Sequence, residues 1–175
     1  MSDAMAVDGD ASNLEELVRQ YLSFELAGEI YGVDILKVRE IKGWEEVRPL
    51  PDMPDYIKGV LDLRGVIVPI VDLRVRFQLA SCEYTLTTVI IVLSVEHGEQ
   101  QRVVGVVVDG VSDVLDVSPG NVRKAPNLGG AINQQYITGM ITIEDRMLIL
   151  LDVNKLLDLR EIGISETVGK CVESG

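Results

Sequence analysis

The sequence is short of most residues that carry chemistry or crosslinks. Its 175 residues include two cysteines, Cys82 and Cys171, and one histidine, His97. That excludes a disulfide scaffold, and without a Cys-x-x-Cys pair it leaves no ligand set for structural zinc. His97 stands beside Gly98 in a stretch that reads as a hairpin turn, which suits a solvated side chain better than a general base. No Gly-x-Ser-x-Gly elbow occurs, and the run from Gly105 to Gly110 lacks the lysine and the strand-to-helix setting of a phosphate loop. Carboxylates are plentiful, yet nothing in their spacing selects an acid and a base. No catalytic, metal or cofactor-binding residue is expected.

Aromatics make up 5% of the chain, and 16 Lys and Arg face 28 Asp and Glu, for a net charge of −12. This balance argues against clustered phosphate contacts and base-stacking platforms, so no nucleic-acid partner is expected. It would also be repelled by an anionic membrane surface. Apolar runs such as 89–93 and 147–151 stop at five residues, whereas a membrane helix needs roughly 20. The first ten residues carry three Asp and neither Lys nor Arg. No secretory signal and no direct membrane insertion are expected, and the cytoplasm is the expected location.

What the chain has is valine, isoleucine and an internal repeat. β-Branched side chains fit a pleated surface, and apolar residues reach 47% of the composition. Strands are expected at 21–26, 30–35, 38–41, 60–63, 66–71, 87–95, 102–108, 111–117, 137–143 and 146–153. Short helices are expected near each end, at 12–19 and 154–159. Pro69 suggests that its strand lies at an edge or carries a bulge. Residues 56–77 align with 136–157 at an offset of 80 without a gap, with Tyr56/Tyr136, Ile57/Ile137, Gly59/Gly139 and Asp72/Asp152 identical. Upstream, Gly32-Val33 matches Gly105-Val106, and positions 38–41 match 111–114, both at an offset of 73. Val47-Arg48 and Pro51 match Val122-Arg123 and Pro126 at 75. Each copy supplies about five short strands, a thin core with exposed edges. Closing each into a barrel removes the edges, and packing the two together adds a shared core. The expected fold is therefore all-β: two five-stranded barrels related by a pseudo-twofold axis. The first would be mainly 20–85 and the second mainly 86–153, end strands crossing over or not, with tails at 1–18 and 161–175.

The residues that stand out look built for contact. Arg64 lies at a hairpin tip between apolar strands, where the plain alternative is a solvated turn charge. Val38 is a lone apolar residue in Lys37-Val38-Arg39-Glu40, where the alternative is a core-facing side chain. Gly59 and Gly139 hold matching positions, as a required backbone conformation would demand.

At these residues the sequence resembles the CheW-type chemotaxis coupling proteins. The resemblance rests on YGVDILKVREI (31–41), YIKGVLDLRGVIVPIVDLR (56–74), RVVGVVVDGVSDVL (102–115) and DRMLILLDVNKLL (145–157). It implies SH3-like barrels, no catalytic activity and no cofactor. It also implies an adaptor between the cytoplasmic tips of transmembrane chemoreceptors and the CheW-like regulatory domain of the histidine kinase CheA, recruited to membrane-associated arrays. By position, receptor contacts would include Val38, Glu40, Gly59 and Arg64, and kinase contacts would include Arg123 and Leu128, where family members can carry an aromatic residue. The receptor tip would dock in an apolar groove between the barrels, with Arg64 gripping a receptor or Glu40 carboxylate through two hydrogen bonds. Two rival readings are a CheW-like module of a larger signalling protein and a barrel enzyme working through carboxylates.

Overall fold

In the computed structural model, residues 18–79, 83–124 and 134–157 are described. Ten strands follow one another: β1 (Arg19–Leu26), β2 (Glu29–Asp34), β3 (Val38–Gly43), β4 (Ile57–Leu63), β5 (Val66–Asp72), β6 (Val89–His97), β7 (Gln100–Val108), β8 (Gly110–Val117), β9 (Ile137–Ile143) and β10 (Arg146–Leu151). Short helices Leu73–Arg76 and Val153–Leu156 follow β5 and β10, each capped by the preceding aspartate, Asp72 or Asp152. The second of these is the expected C-terminal helix. The expected N-terminal helix lies outside the described residues except at its end, where Arg19 opens β1.

The strands form two five-stranded SH3-like barrels. Their orders are β8-β1-β2-β10-β9 and β3-β6-β7-β5-β4. Adding five to each label of the first order, and wrapping round at ten, gives the second. The repeats are thus related by a pseudo-twofold, and each barrel takes its two-strand hairpin from one repeat and three strands from the other. This corrects the division at residue 85: β1 and β2 belong with β8–β10, and β6 and β7 with β3–β5. We call the two the N-hairpin barrel (containing β1 and β2) and the central barrel.

One residue pair closes each barrel. After β3 the chain returns to the free edge of β4, where Arg48 and Val60 exchange both backbone hydrogen bonds at 2.8 and 3.0 Å. After β8, Arg123 and Met140 do the same at 2.8 Å each. Because Val60 spends its backbone groups on Arg48, its pairing with Pro69 on β5 needs no hydrogen bond. On the other side of β5 the parallel ladder with β7 starts only at Ile70. Pro69 therefore sits in an interior strand, neither at an edge nor bulged, because neither neighbour requires its missing N–H.

Three apolar clusters fill the molecule. One fills the central barrel around Leu61, Val68, Ile70, Ile90, Val92 and Val107. A second fills the N-hairpin barrel around Tyr21, Val117, Ile141, Leu148 and Leu150. The largest lies between the barrels and draws on both, from Leu22, Phe24 and Tyr31 to Ile91, Val104 and Phe77. β6 and β7 are buried on both faces, which is why they read as nearly continuous apolar runs. Both phenylalanines of the chain are spent on the interface, where Tyr31 packs against Phe24 at 6.0 Å and Phe77 at 6.2 Å between ring centres.

Candidate docking surfaces

The first surface begins with a bulge. Val38 pairs with Leu93 and Glu40 with Val92, leaving Arg39 as an extra residue in β3. Leu93 and Val92 point to opposite faces of β6, so Val38 and Glu40 do as well. Val38 turns to the inter-barrel core and packs against it half-buried, while Glu40 turns to the barrel's other side.

There it meets Arg64. The β4–β5 hairpin turns through Arg64 and Gly65, both with positive φ (53° and 86°), as a type I′ turn requires. The Asp62 carboxylate accepts a hydrogen bond from the Gly65 N–H at 2.9 Å and holds the turn. Arg64 Nη2 donates to Glu40 Oε2 at 2.6 Å, a single contact where two were expected. Hydrogen bonding and the charge of Glu40 push the Arg64 pKa above its ordinary value. Arg64 remains 79% exposed and Glu40 26%. Behind the pair runs an apolar groove of about 300 Å³, lined by Leu63, Val66, Val68, Val92 and Val103. All its residues come from the central barrel.

Of the other expected contacts, Gly59 is buried. A Cβ there would lie 2.0 Å from the Arg48 carbonyl oxygen, and its φ is 146°. Its local duty is to let the barrel close, so any bearing on docking is through the shape of the β4 edge. Its twin Gly139 sits beside the other closure, where a Cβ would meet Val122 at 2.3 Å. Arg123 is exposed on the N-hairpin barrel, at its closing pair. Leu128 lies outside the described residues. The structure thus joins Glu40 to Arg64, sends Val38 to the opposite side of β3 and places Arg123 on the other barrel.

Sequence reasoning missed two arginines. Arg74 is fully buried, with Nε and Nη2 donating to the two oxygens of buried Asp72 at 3.0 Å each. Its Nη1 reaches the Glu83 carbonyl at 2.6 Å and Asp109 at 3.1 Å. Burial pulls against its charge, but Asp72 and Asp109 override that and raise its pKa. Arg76 lies over Tyr56 (4.9 Å) and Tyr136 (5.5 Å), the twin tyrosines of the repeat, and donates to the Tyr136 hydroxyl at 2.9 Å. The available signal was the mismatch within the repeat, since Arg74 and Arg76 align with Asn154 and Leu156.

Among the described residues no three His, Cys, Asp or Glu side chains are grouped to hold a metal ion, and no helix is long and apolar enough to cross a membrane. The arrangement offers guanidinium–carboxylate pairing beside an apolar floor, which is suited to gripping a protein surface.

Comparison with known proteins agrees with this geometry. The family model described as "CheW-like domain" matches residues 20–161. The chemotaxis protein CheW of Klebsiella aerogenes is 47% identical over 89% of this chain and 92% of its own length. That of Rhizobium meliloti is 35% identical over 86% and 95%. The crystal structure of the scaffolding protein TtCheW from Thermoanaerobacter tengcongensis superposes with a TM-score of 0.71 at 27% identity, covering 80% of this chain and 88% of that one. With the family model spanning most of the chain, and both barrels and both repeats inside the match, the protein belongs to the CheW-like domain family.

Proposed function

We propose that this chain is a non-catalytic chemotaxis adaptor that couples the cytoplasmic tips of chemoreceptors to the histidine kinase CheA in membrane-associated arrays. The observation that carries the reading is the match to chemotaxis CheW proteins along nearly their whole length. The exposed Arg64–Glu40 pair beside an apolar groove supports a receptor contact on the central barrel. Arg123 supports a kinase contact on the other barrel, with Leu128 as its companion. Glu40 and Arg64 would orient the receptor segment while Val66 and Leu63 bury its apolar side chains. Val38 and Gly59 would act from beneath by setting the course of β3 and β4.

Co-sedimentation with receptor-containing membranes and CheA, scored for kinase activity with and without this chain, tests the reading. Recruitment and a change in kinase activity are expected, and absence of both refutes it. Arg64→Ala should weaken receptor pull-down at moderate salt without moving the unfolding midpoint. Arg123→Asp with Leu128→Ser should weaken kinase incorporation and spare receptor binding.

A further inference from the structure

The residues lining the Arg64 groove have counterparts in the N-hairpin barrel, and those counterparts line a second groove. Arg39 and Glu40 correspond to Ser112 and Asp113 at the repeat offset of 73, and Leu63, Arg64, Val66 and Val68 to Ile143, Glu144, Arg146 and Leu148 at 80. Even the bulge recurs. The register slips where β1 passes β8, and the Ser23 hydroxyl fills the gap by bonding the backbone of Asp113.

The frame is shared but the charge is not. In the first groove the carboxylate at 40 and the guanidinium at 64 satisfy each other. In the second, the position of that guanidinium is Glu144, so a carboxylate stands where its partner cation would be. Among the described residues, the side chains of Asp113, Glu144 and the adjoining Asp145 have no hydrogen-bond or ion-pair partner, and Arg146, in the place of Val66, pairs with none of them. The floor is apolar, with Ile30, Leu115, Ile143 and Leu148, and Met147 is 51% exposed beside it. A half-exposed methionine is an adaptable contact for an aliphatic side chain.

We propose that this second groove docks a segment of a partner protein that presents an arginine next to an aliphatic residue. The incoming guanidinium takes, between Asp113 and Glu144, the place that Arg64 takes beside Glu40. Arginine fits better than lysine because its planar fork spans two carboxylates. Exposed ion pairs alone are weak. The aliphatic contact on Met147 and Ile143 therefore supplies affinity, and the acids supply orientation and selectivity. The inference does not depend on the coupling reading, because it concerns this chain and a short segment alone.

The probe is a ten-residue synthetic peptide with a central Val-Arg-Val, titrated into the isotope-labelled full chain, alongside its twin with citrulline for arginine. Amide shifts confined to 112–115 and 143–148 are expected. Citrulline, or Asp113→Asn with Glu144→Gln, should weaken binding about tenfold. Glu144→Arg should abolish it, because the introduced side chain pairs with Asp113 as Arg64 does with Glu40. Arg64→Ala should leave it unchanged, and the amide spectrum of each variant reports whether the fold survives. The proposal falls if no shift appears at millimolar peptide, if shifts map to the Arg64 groove, or if the citrulline peptide binds equally well. It also falls if sedimentation shows the wild-type chain dimerising through this face and Glu144→Arg dissolving the dimer, since a second copy would then be the occupant.

Discussion

After β5, the first repeat buries an ion pair; after β10, the second uses a neutral side chain in the same place. Asp72 and Arg74 are both inaccessible to solvent. Arg74 reaches Asp109, whose other oxygen accepts the Ala27 N–H at 2.7 Å, so the central barrel is tied to the β1–β2 turn of its neighbour. At the equivalent point Asn154 accepts the Glu96 N–H at 2.9 Å and ties the N-hairpin barrel to β6. One frame thus carries two locks. The charged lock binds more groups together but depends on every partner being present, since an unpaired buried charge is costly.

The largest break in this comparison should come from the ion pair. Asp72→Ala takes from the buried Arg74 guanidinium the partner of its Nε and Nη2, leaving only Asp109 and the Glu83 carbonyl on Nη1, and should cost about 3 kcal/mol. Asp152→Ala removes only a helix cap and should cost about 1 kcal/mol. Urea denaturation of the two variants measures the difference, and equal costs would show that the locks are equivalent. Next come the barrel closures. Gly59→Ala pushes a methyl into a backbone carbonyl at positive φ and should cost about 3 kcal/mol. Gly139→Ala, at an ordinary φ, meets the stiff Val122 side chain at 2.3 Å and the Arg123 carbonyl oxygen at 3.1 Å, and should cost about 2 kcal/mol, less than Gly59→Ala because the closest clash is with a side chain and not with backbone.

A third test uses pH. Tyr31 stands where the other repeat has Val104, and burial, with help from Glu29, pushes its hydroxyl up to about 12. The folded state holds that proton more tightly than the unfolded chain, whose tyrosines titrate near 10. The stabilisation is fully present below about pH 10 and is lost as pH rises towards about 12, to the extent of ~2–3 kcal/mol. Denaturation of wild type and Tyr31→Phe at pH 8 and pH 11.5 should show the wild type losing more; parallel losses would remove Tyr31 as the cause. The smallest effect is expected at the hairpin tips. Arg64-Gly65 has glycine at its second position, whereas Glu144 and Asp145 both hold positive φ (49° and 66°) without one. Replacing them with Asn-Gly should raise stability by up to ~1 kcal/mol, and no gain in thermal midpoint would contradict the turn assignment.

Much of this was legible in the sequence because the repeat constrains it. The matched blocks at 56–77 and 136–157 became matched hairpins with matched helices, and the turn chemistry at Arg64-Gly65 fixed the register there. Strand exchange was not legible, because alternation marks which face of a strand is buried and says nothing about which strand lies beside it. Val38 and Glu40 are expected together as contacts, and the bulge at Arg39, which the sequence does not announce, puts them on opposite faces. Pro69 misled because its cost depends on whether the neighbouring strands need its N–H, and Arg48 had already taken the groups of Val60. No element is expected from the sequence at Leu73-Arg74-Val75-Arg76, and only the geometry of Asp72 and Asp109 shows that Arg74 is interior.

The exchange of hairpins also sets an order in time. Residue 32 pairs with residue 150, a separation of 118 positions, whereas residue 70 pairs with residue 105, a separation of 35. On the ribosome the central barrel has all its strands once β7 has emerged. The β1–β2 hairpin, made first, keeps one edge open until β10 arrives almost at the end of the described chain. Of the ten described strands, β1 and β2 precede the rest yet are the last to be completed, and a truncation before β10 would leave the β2 edge unpaired.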